Sequence, residues 1–258
     1  MKKILSITYG LTAYVLFLCA FLYLVAFSLN VLPHSISGAA TQPPLAAALN
    51  DVTLITVFGV QHSIMARPAF KRWWTRFVPP HVERSTFVLI ATGLVILIVV
   101  GWEPIEGDLW NFTGVGKIMI SAVSLLGWMA VPAISFLTDH FHLFGLRQVA
   151  QYALGRTPTR PVFRETSIYR KVRHPMMLAF LVGFWATPHM TMGHLLFATV
   201  MTAYILVGTY FEERTLVAEH GRAYQDYLTR VPKLLPLGGA ADSPGEWEPP
   251  GDAARMVQ

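Results

Sequence analysis

One run of 29 residues, 4–32, contains no charged side chain. About 20 consecutive apolar residues of helix are enough to cross the hydrocarbon core of a bilayer. Lys2 and Lys3 ahead of the run imitate a secretory leader. A leader's apolar region is only about 7–15 residues long, however, and no small-x-small cleavage site closes a short one here. The segment therefore reads as a retained membrane helix. The composition agrees: charged residues make up 14% and hydrophobic residues 53% of the chain, where a soluble domain carries roughly 25% charged residues. This balance excludes a disordered chain, a collagen-like repeat and a disulfide scaffold. Cys19, the one cysteine, rules out any internal disulfide.

Further apolar runs follow at 45–66, 85–101 and 118–137. The first is interrupted by Asp51 and Gln61-His62, and the last contains Pro132, a helix-kinking residue. Residues 176–211 are too long for one ordinary span and are broken at Pro188-His189 and Gly193. They read as two short helices turning at the far side of the bilayer, the first short enough for a re-entrant arm. The predicted fold is all-α: a polytopic helical bundle of about five to six membrane helices, including a C-terminal hairpin. Residues 138–175 read as a cytoplasmic linker with Pro158 and Pro161. Residues 212–230 read as an amphipathic helix along the membrane face, with Leu216, Val217, Tyr224, Tyr227 and Leu228 at three- and four-residue spacing. The expected organisation is one integral-membrane domain over 1–236 and a disordered cytoplasmic tail over 237–258, rich in Gly, Ala, Pro and Glu.

Basic residues collect in cytoplasmic loops. Of the 20 Lys and Arg, all but Lys117 fall before the first helix, after the second, after the fourth or after the last. The opposite loops hold Glu103, Glu106 and Asp108. With six crossings, or four plus a hairpin, both termini are cytoplasmic, as in a bacterial inner-membrane protein. The net charge of +5 is thus spent on orientation, and no nucleic-acid partner is expected.

Polar groups inside spans are costly and usually face a cavity or a site. At about 1.5 Å per residue, Gln61-His62 lies roughly 24 Å from Leu45, near the cytoplasmic end of the second helix. Asp139, His140 and His142 follow the fourth helix, Arg173-His174-Pro175 precedes the fifth, and Glu212-Glu213 marks the return of the last. Each has a plainer reading: His62 as an interfacial histidine bonded to a carbonyl, Asp139 as a helix cap, Arg173 as a membrane anchor, Glu212-Glu213 as a solvated helix start. His140 and His142, two apart, do not share a helix face, so a metal reading from them is weak.

The motif Tyr169-Arg-Lys-Val-Arg-His-Pro175, an apolar hairpin, Glu212-Glu213-Arg-Thr-Leu216, Gly221-Arg-Ala-Tyr224-Gln-Asp-Tyr227 and Val231-Pro232 to Pro236 resembles the membrane methyltransferases related to isoprenylcysteine carboxyl methyltransferase and phospholipid N-methyltransferase. Gln61-His-Ser-Ile-Met-Ala-Arg-Pro68, Phe70-Lys-Arg-Trp-Trp74, Glu83-Arg-Ser85 and Asp139-His-Phe-His-Leu-Phe-Gly-Leu-Arg147 look like the bacterial NnrU-like branch. The resemblance covers most of residues 1–236. It implies an enzyme that uses S-adenosyl-L-methionine without a Rossmann fold, and, in its closest form, methylation of a small thiol, methanethiol, to dimethyl sulfide. By resemblance, Arg173, His174 and Pro175 line the cofactor site, and Glu212, Glu213, Tyr224 and Tyr227 close it. The sequence departs from the pattern at Met177 and Ala179, where relatives carry an aromatic residue and a glycine.

A thiol acceptor reacts as its thiolate, and a cysteine-like thiol with pKa about 8.5 needs help to ionise at neutral pH. The candidate catalytic residues are His62, Asp139 and His140: either histidine as base, oriented by Asp139, with a bound metal as the minority version. The alternative readings are a membrane methyltransferase of a prenylcysteine carboxylate or a phospholipid, and a non-enzymatic haem- or metal-binding redox accessory.

Overall fold

A computed structural model describes residues 1–157 and 167–236. The expected tail over 237–258, and Pro158, Arg160, Pro161 and Arg164 of the expected linker, lie outside the described residues. Five helices are long and apolar enough to cross a membrane: α1 (Lys2–Ser28), α2 (Pro44–Met65), α4 (Pro80–Gly101), α5 (Gly114–Thr138) and α9 (Met192–His220). Shorter helices are α3 (Pro68–Trp74), α6 (His140–Leu143), α7 (Leu146–Leu154), α8 (Pro175–Trp185) and α10 (Arg222–Arg230). The protein is a polytopic helical membrane protein. Its outward-facing leucines and valines fit lipid, for example Leu22 at 65% and Leu126 at 69% exposure.

Local chemistry sets the boundaries. Helices α2, α3 and α4 each begin on a proline, whose missing N–H would have no helical partner there and whose φ is already helical. Helix α4 thereby starts five residues before the apolar run predicted from Ser85, taking in Glu83 and Arg84. Pro132 sits inside α5 without ending it.

The chain divides into two compact units: Met1–Pro161 with Met176–Gly208, and Val162–Pro175 with Thr209–Gln258. In the first unit, α1 packs on α4 and α7, and α2 on α4. Phe27, Ile55, Ile98, Trp102, Trp128, Phe184 and Phe197 form its buried centre. Helix α8 is 11 residues long, about 16 Å, too short to cross alone, as expected for the first arm of a hairpin. The second arm departs from expectation: α9 is 29 residues, not a short helix. Between the arms, β2 (His189–Thr191) pairs antiparallel with β1 (Asp108–Asn111) of the α4–α5 loop. Met192 N–H donates to Gly107 O at 2.8 Å and Phe112 N–H to Pro188 O at 2.8 Å, which places the turn of the hairpin on the same side as that loop. The expected linker also holds structure, since α7 lies against α1 and α4.

In the second unit, Glu212 and Glu213 lie inside α9 rather than at a helix start. The predicted helix over 212–230 is divided at Gly221, whose φ of +59° and ψ of −131° are open to glycine and rare for other residues. The apolar residues of that stretch still meet: Tyr224, Tyr227 and Val231 are buried against Leu216, Val217 and Leu228.

Candidate active site

In the first unit, His62 lies in the last helical turns of α2. Its ring centroid is 5.3 Å from Phe58, 4.8 Å from Phe87 of α4 and 6.3 Å from Tyr204 of α9. Gly59 makes this possible: a Cβ there would come within 3.0 Å of the Tyr204 ring. The His62 Nδ1 is buried with no hydrogen-bond partner among the described residues, and so is the neighbouring Gln61 Oε1. An unmade hydrogen bond on a buried polar atom costs about 1–3 kcal/mol. The plainer reading, a histidine satisfied by a carbonyl, therefore does not describe Nδ1.

His140 is the opposite case. It is buried at 4% exposure, stacked on Phe136 at 4.0 Å, and both ring nitrogens are engaged. Ser135 Oγ donates to Pro132 O at 2.7 Å, so its oxygen accepts from Nδ1–H of His140, also at 2.7 Å. Nε2 then accepts from the Tyr14 hydroxyl at 2.7 Å. Asp139 orients neither histidine ring. Its carboxylate caps α6 by accepting from His142 N–H at 3.2 Å and pairs with Arg147 at 2.5 Å. Between the two candidate bases, only His62 has a ring nitrogen without a hydrogen-bond partner among the described residues.

Burial lowers the His140 pKa from its usual 6.5. It also lowers that of His142, where Asp139 opposes the shift and Arg84, Arg147 and Lys71 add to it. Both histidines are thus harder to protonate in the fold than in the unfolded chain, which takes up protons near pH 6.5. Their contribution to stability is complete above that pH and declines as the pH falls below it. The melting temperature in detergent should fall between pH 7.5 and 5.5, and His140→Gln should flatten the fall. An equally steep fall in the variant would remove His140 from the cause.

In the second unit, Glu213 gathers three basic groups: Arg173 Nε at 3.0 Å, His174 Nε2 at 3.0 Å and Lys233 Nζ at 3.3 Å. Arg173 Nη1 also donates to the carbonyls of Leu228 and Val231. Backbone bonds from Arg173 to Pro232 O and from His174 to Lys233 O join the same strands of chain. Arg173 is thus no loose membrane anchor, and two of its three nitrogens are already committed to the protein. Glu212, by contrast, is 53% exposed, with His174 Nδ1 at 3.7 Å. Tyr227 donates to Tyr169 O at 2.6 Å. Tyr224 lies near Glu213 and Glu212; its burial and then those two carboxylates push the hydroxyl pKa upward. Pro175 opens α8 immediately after this cluster. The sequence reading had missed Arg84, Phe58, Phe87 and Tyr204 around His62, Tyr14 and Ser135 around His140, and Lys233 on Glu213. Only Arg84 and Phe87 carried a hint, at the three-residue spacing of one helix face. Among the described residues, no group of three or more His, Cys, Asp or Glu could hold a metal ion.

Comparisons with known proteins bear on these clusters. Methanethiol S-methyltransferase of Mycobacterium tuberculosis is 46% identical over 238 residues, 92% of this chain and 98% of the relative. Methanethiol S-methyltransferase 2 of Bradyrhizobium diazoefficiens is 44% identical over 235 residues, 91% of each chain. Methanethiol S-methyltransferase of a Pseudomonas species is 44% identical over 237 residues, again 91% of each. No solved structure matches the chain. The family profile described as NnrU protein matches residues 52–240, a stretch that takes in His62 of α2 and the Glu213 cluster alike: the chain belongs to the NnrU protein family.

Proposed function

We propose that this protein transfers a methyl group from S-adenosyl-L-methionine to methanethiol, giving dimethyl sulfide, at the cytoplasmic face of a bacterial inner membrane. The observation that carries the reading is the buried, unpartnered Nδ1 of His62 among three aromatic rings, in a chain whose similar relatives bear that enzyme name over nine-tenths of its length. Both termini are cytoplasmic in this reading, because all Lys and Arg except Lys117 then lie on the inner side. Residues 1–236 work as one membrane domain.

The second unit has the chemistry to hold the methyl donor. Glu212 offers an open carboxylate for ribose hydroxyls or an ammonium group. Arg173, fixed by Glu213, offers a positioned positive charge for a carboxylate. Tyr224 and Tyr227, buried beside this cluster, supply an aromatic backing that favours a sulfonium; His174 keeps Glu213 in place, and Pro175 ends the segment that carries them. When bound, the donor supplies a methyl group on positively charged sulfur, ready for in-line displacement. The protein's own share is to position the acceptor and take its proton. His62 Nδ1 accepts the S–H proton. His140 and Asp139 support the inner end of the bundle, the first through Tyr14 and Ser135, the second by capping α6.

A small apolar acceptor suits the aromatic surroundings of His62. Nothing favours a prenylcysteine, a phospholipid or a haem over it. Membranes carrying the protein should release dimethyl sulfide into the headspace when given methanethiol and the donor, as read by gas chromatography. Membranes that bind S-adenosylhomocysteine yet release none would overturn the thiol reading and leave a methyltransferase of another acceptor.

A further inference from the structure

In the first unit, Arg84 of α4 makes one hydrogen bond and no ion pair among the described residues. Its Nε donates to Leu143 O at 2.6 Å, and its Cζ lies 4.7 Å from the centroid of the Phe87 ring. Neither terminal nitrogen has a carboxylate within ion-pair distance. The other charged and titratable groups around it are Glu83 on its own helix, His62 on α2, Lys71 on α3, and Asp139, His142 and Arg147 between α5 and α7. Asp139 is taken by Arg147 at 2.5 Å. Glu83, the adjacent residue, contributes a negative charge nearby, but its Oε1 is buried without a hydrogen-bond partner and it makes no ion pair with Arg84. Among these groups three cations, Arg84, Lys71 and Arg147, face two carboxylates, Glu83 and Asp139.

Phe87 links this charge to the histidine with the unpartnered Nδ1. The His62 ring is 4.8 Å from the same centroid that Arg84 overlies at 4.7 Å. A half-buried guanidinium whose terminal nitrogens make no bond to the protein, a buried nitrogen with no partner and an aromatic ring shared between them suit a small, apolar, singly charged anion. A guanidinium suits this task because its charge is permanent and weakly hydrated.

We infer that Arg84 is the counter-charge for the acceptor in its thiolate form, so that the site formed by Arg84, His62 and Phe87 binds and ionises a small thiol. This rests on the thiol reading above. The thiol gives its S–H proton to His62 Nδ1. The sulfur keeps the bonding pair and faces Arg84. One of its lone pairs then forms the new bond to the methyl carbon, the old bond to the donor sulfur breaks with its electrons, and His62 returns the proton to water. The product thioether is neutral, has no attraction to Arg84 and leaves.

The test is the pH profile of kcat/KM for methanethiol in membrane vesicles of the wild type, Arg84→Gln and Arg84→Lys. An opposite charge within about 4–6 Å shifts a pKa by roughly 1–3 units, so Arg84→Gln should lose about tenfold or more near pH 7. It should recover as the pH rises through the pKa of the free thiol, whereas Arg84→Lys should retain most of the rate. A more acidic thiol, already ionised at neutral pH, should narrow the gap between Arg84→Gln and the wild type. A uniform loss at every pH and with every thiol would make Arg84 structural and overturn the inference. The wild type alone also decides: its lower limb must have a midpoint below the pKa of free methanethiol, and a midpoint at or above it would overturn the inference without any variant. A wild type that releases no dimethyl sulfide would overturn the thiol reading itself, whereas an active wild type with an indifferent Arg84→Gln would overturn only the role of Arg84.

Discussion

His62→Gln should lower dimethyl sulfide production by about 10²–10⁴-fold, the usual worth of a positioned general base, while the affinity for S-adenosylhomocysteine stays within about twofold. The asymmetry follows from where the groups sit. His62 belongs to the first unit, among Phe58, Phe87 and Tyr204. The groups proposed for the donor are Arg173, Glu212 and Glu213, all in the second. Glutamine keeps polarity and approximate size but cannot take up a proton at neutral pH. Headspace chromatography gives the turnover, and calorimetry in detergent gives the affinity. Full turnover in the variant would return His62 to a packing role and remove the base from the mechanism.

Glu213→Ala should cost the second unit about 3 kcal/mol, the lower end of what breaking a buried ion pair costs. The Arg173 and Glu213 side chains are only 11% and 14% exposed. Their carboxylate is also the common acceptor for His174 and Lys233. Removing it leaves a guanidinium and an ammonium facing each other with their desolvation uncompensated. Amide exchange should rise over 168–175 and 222–233, the stretches that Arg173 and His174 join through backbone and side-chain bonds. S-adenosylhomocysteine affinity should fall with it. Unchanged protection in both stretches would show that Glu213 does not organise this unit.

The expectations made from sequence succeeded and failed for different physical reasons. The four N-terminal spans were legible because burial in lipid depends on the apolar content of a continuous segment, and α1, α2, α4 and α5 lie within a few residues of the predicted runs. The short α8 and the break after it were legible from Pro188 and Gly193. The start assigned at Glu212-Glu213 was not, because acidic residues can begin a helix or ride on one, and only the continuity of α9 through His220 distinguishes the two. The β1–β2 pairing joins strands about 80 residues apart with no alternation to announce it. The residue choice around His62 and His140 was equally closed to sequence. The two histidines look alike in the chain, and they differ because Tyr14 reaches His140 from 126 residues away while nothing among the described residues bonds to His62 Nδ1.

Sequence by itself determined that this chain enters a membrane and which residue types collect at the ends of its helices, because transfer free energy and charge are properties of segments. Only the tertiary structure decided that Glu213 is shared among three basic side chains, that Asp139 is occupied by Arg147, and that Arg84 and His62 meet at one phenylalanine ring with bonding capacity left over. Whether a polar group is spent or available depends on which distant atoms come within about 3 Å of it, and that distance exists only once the helices have packed.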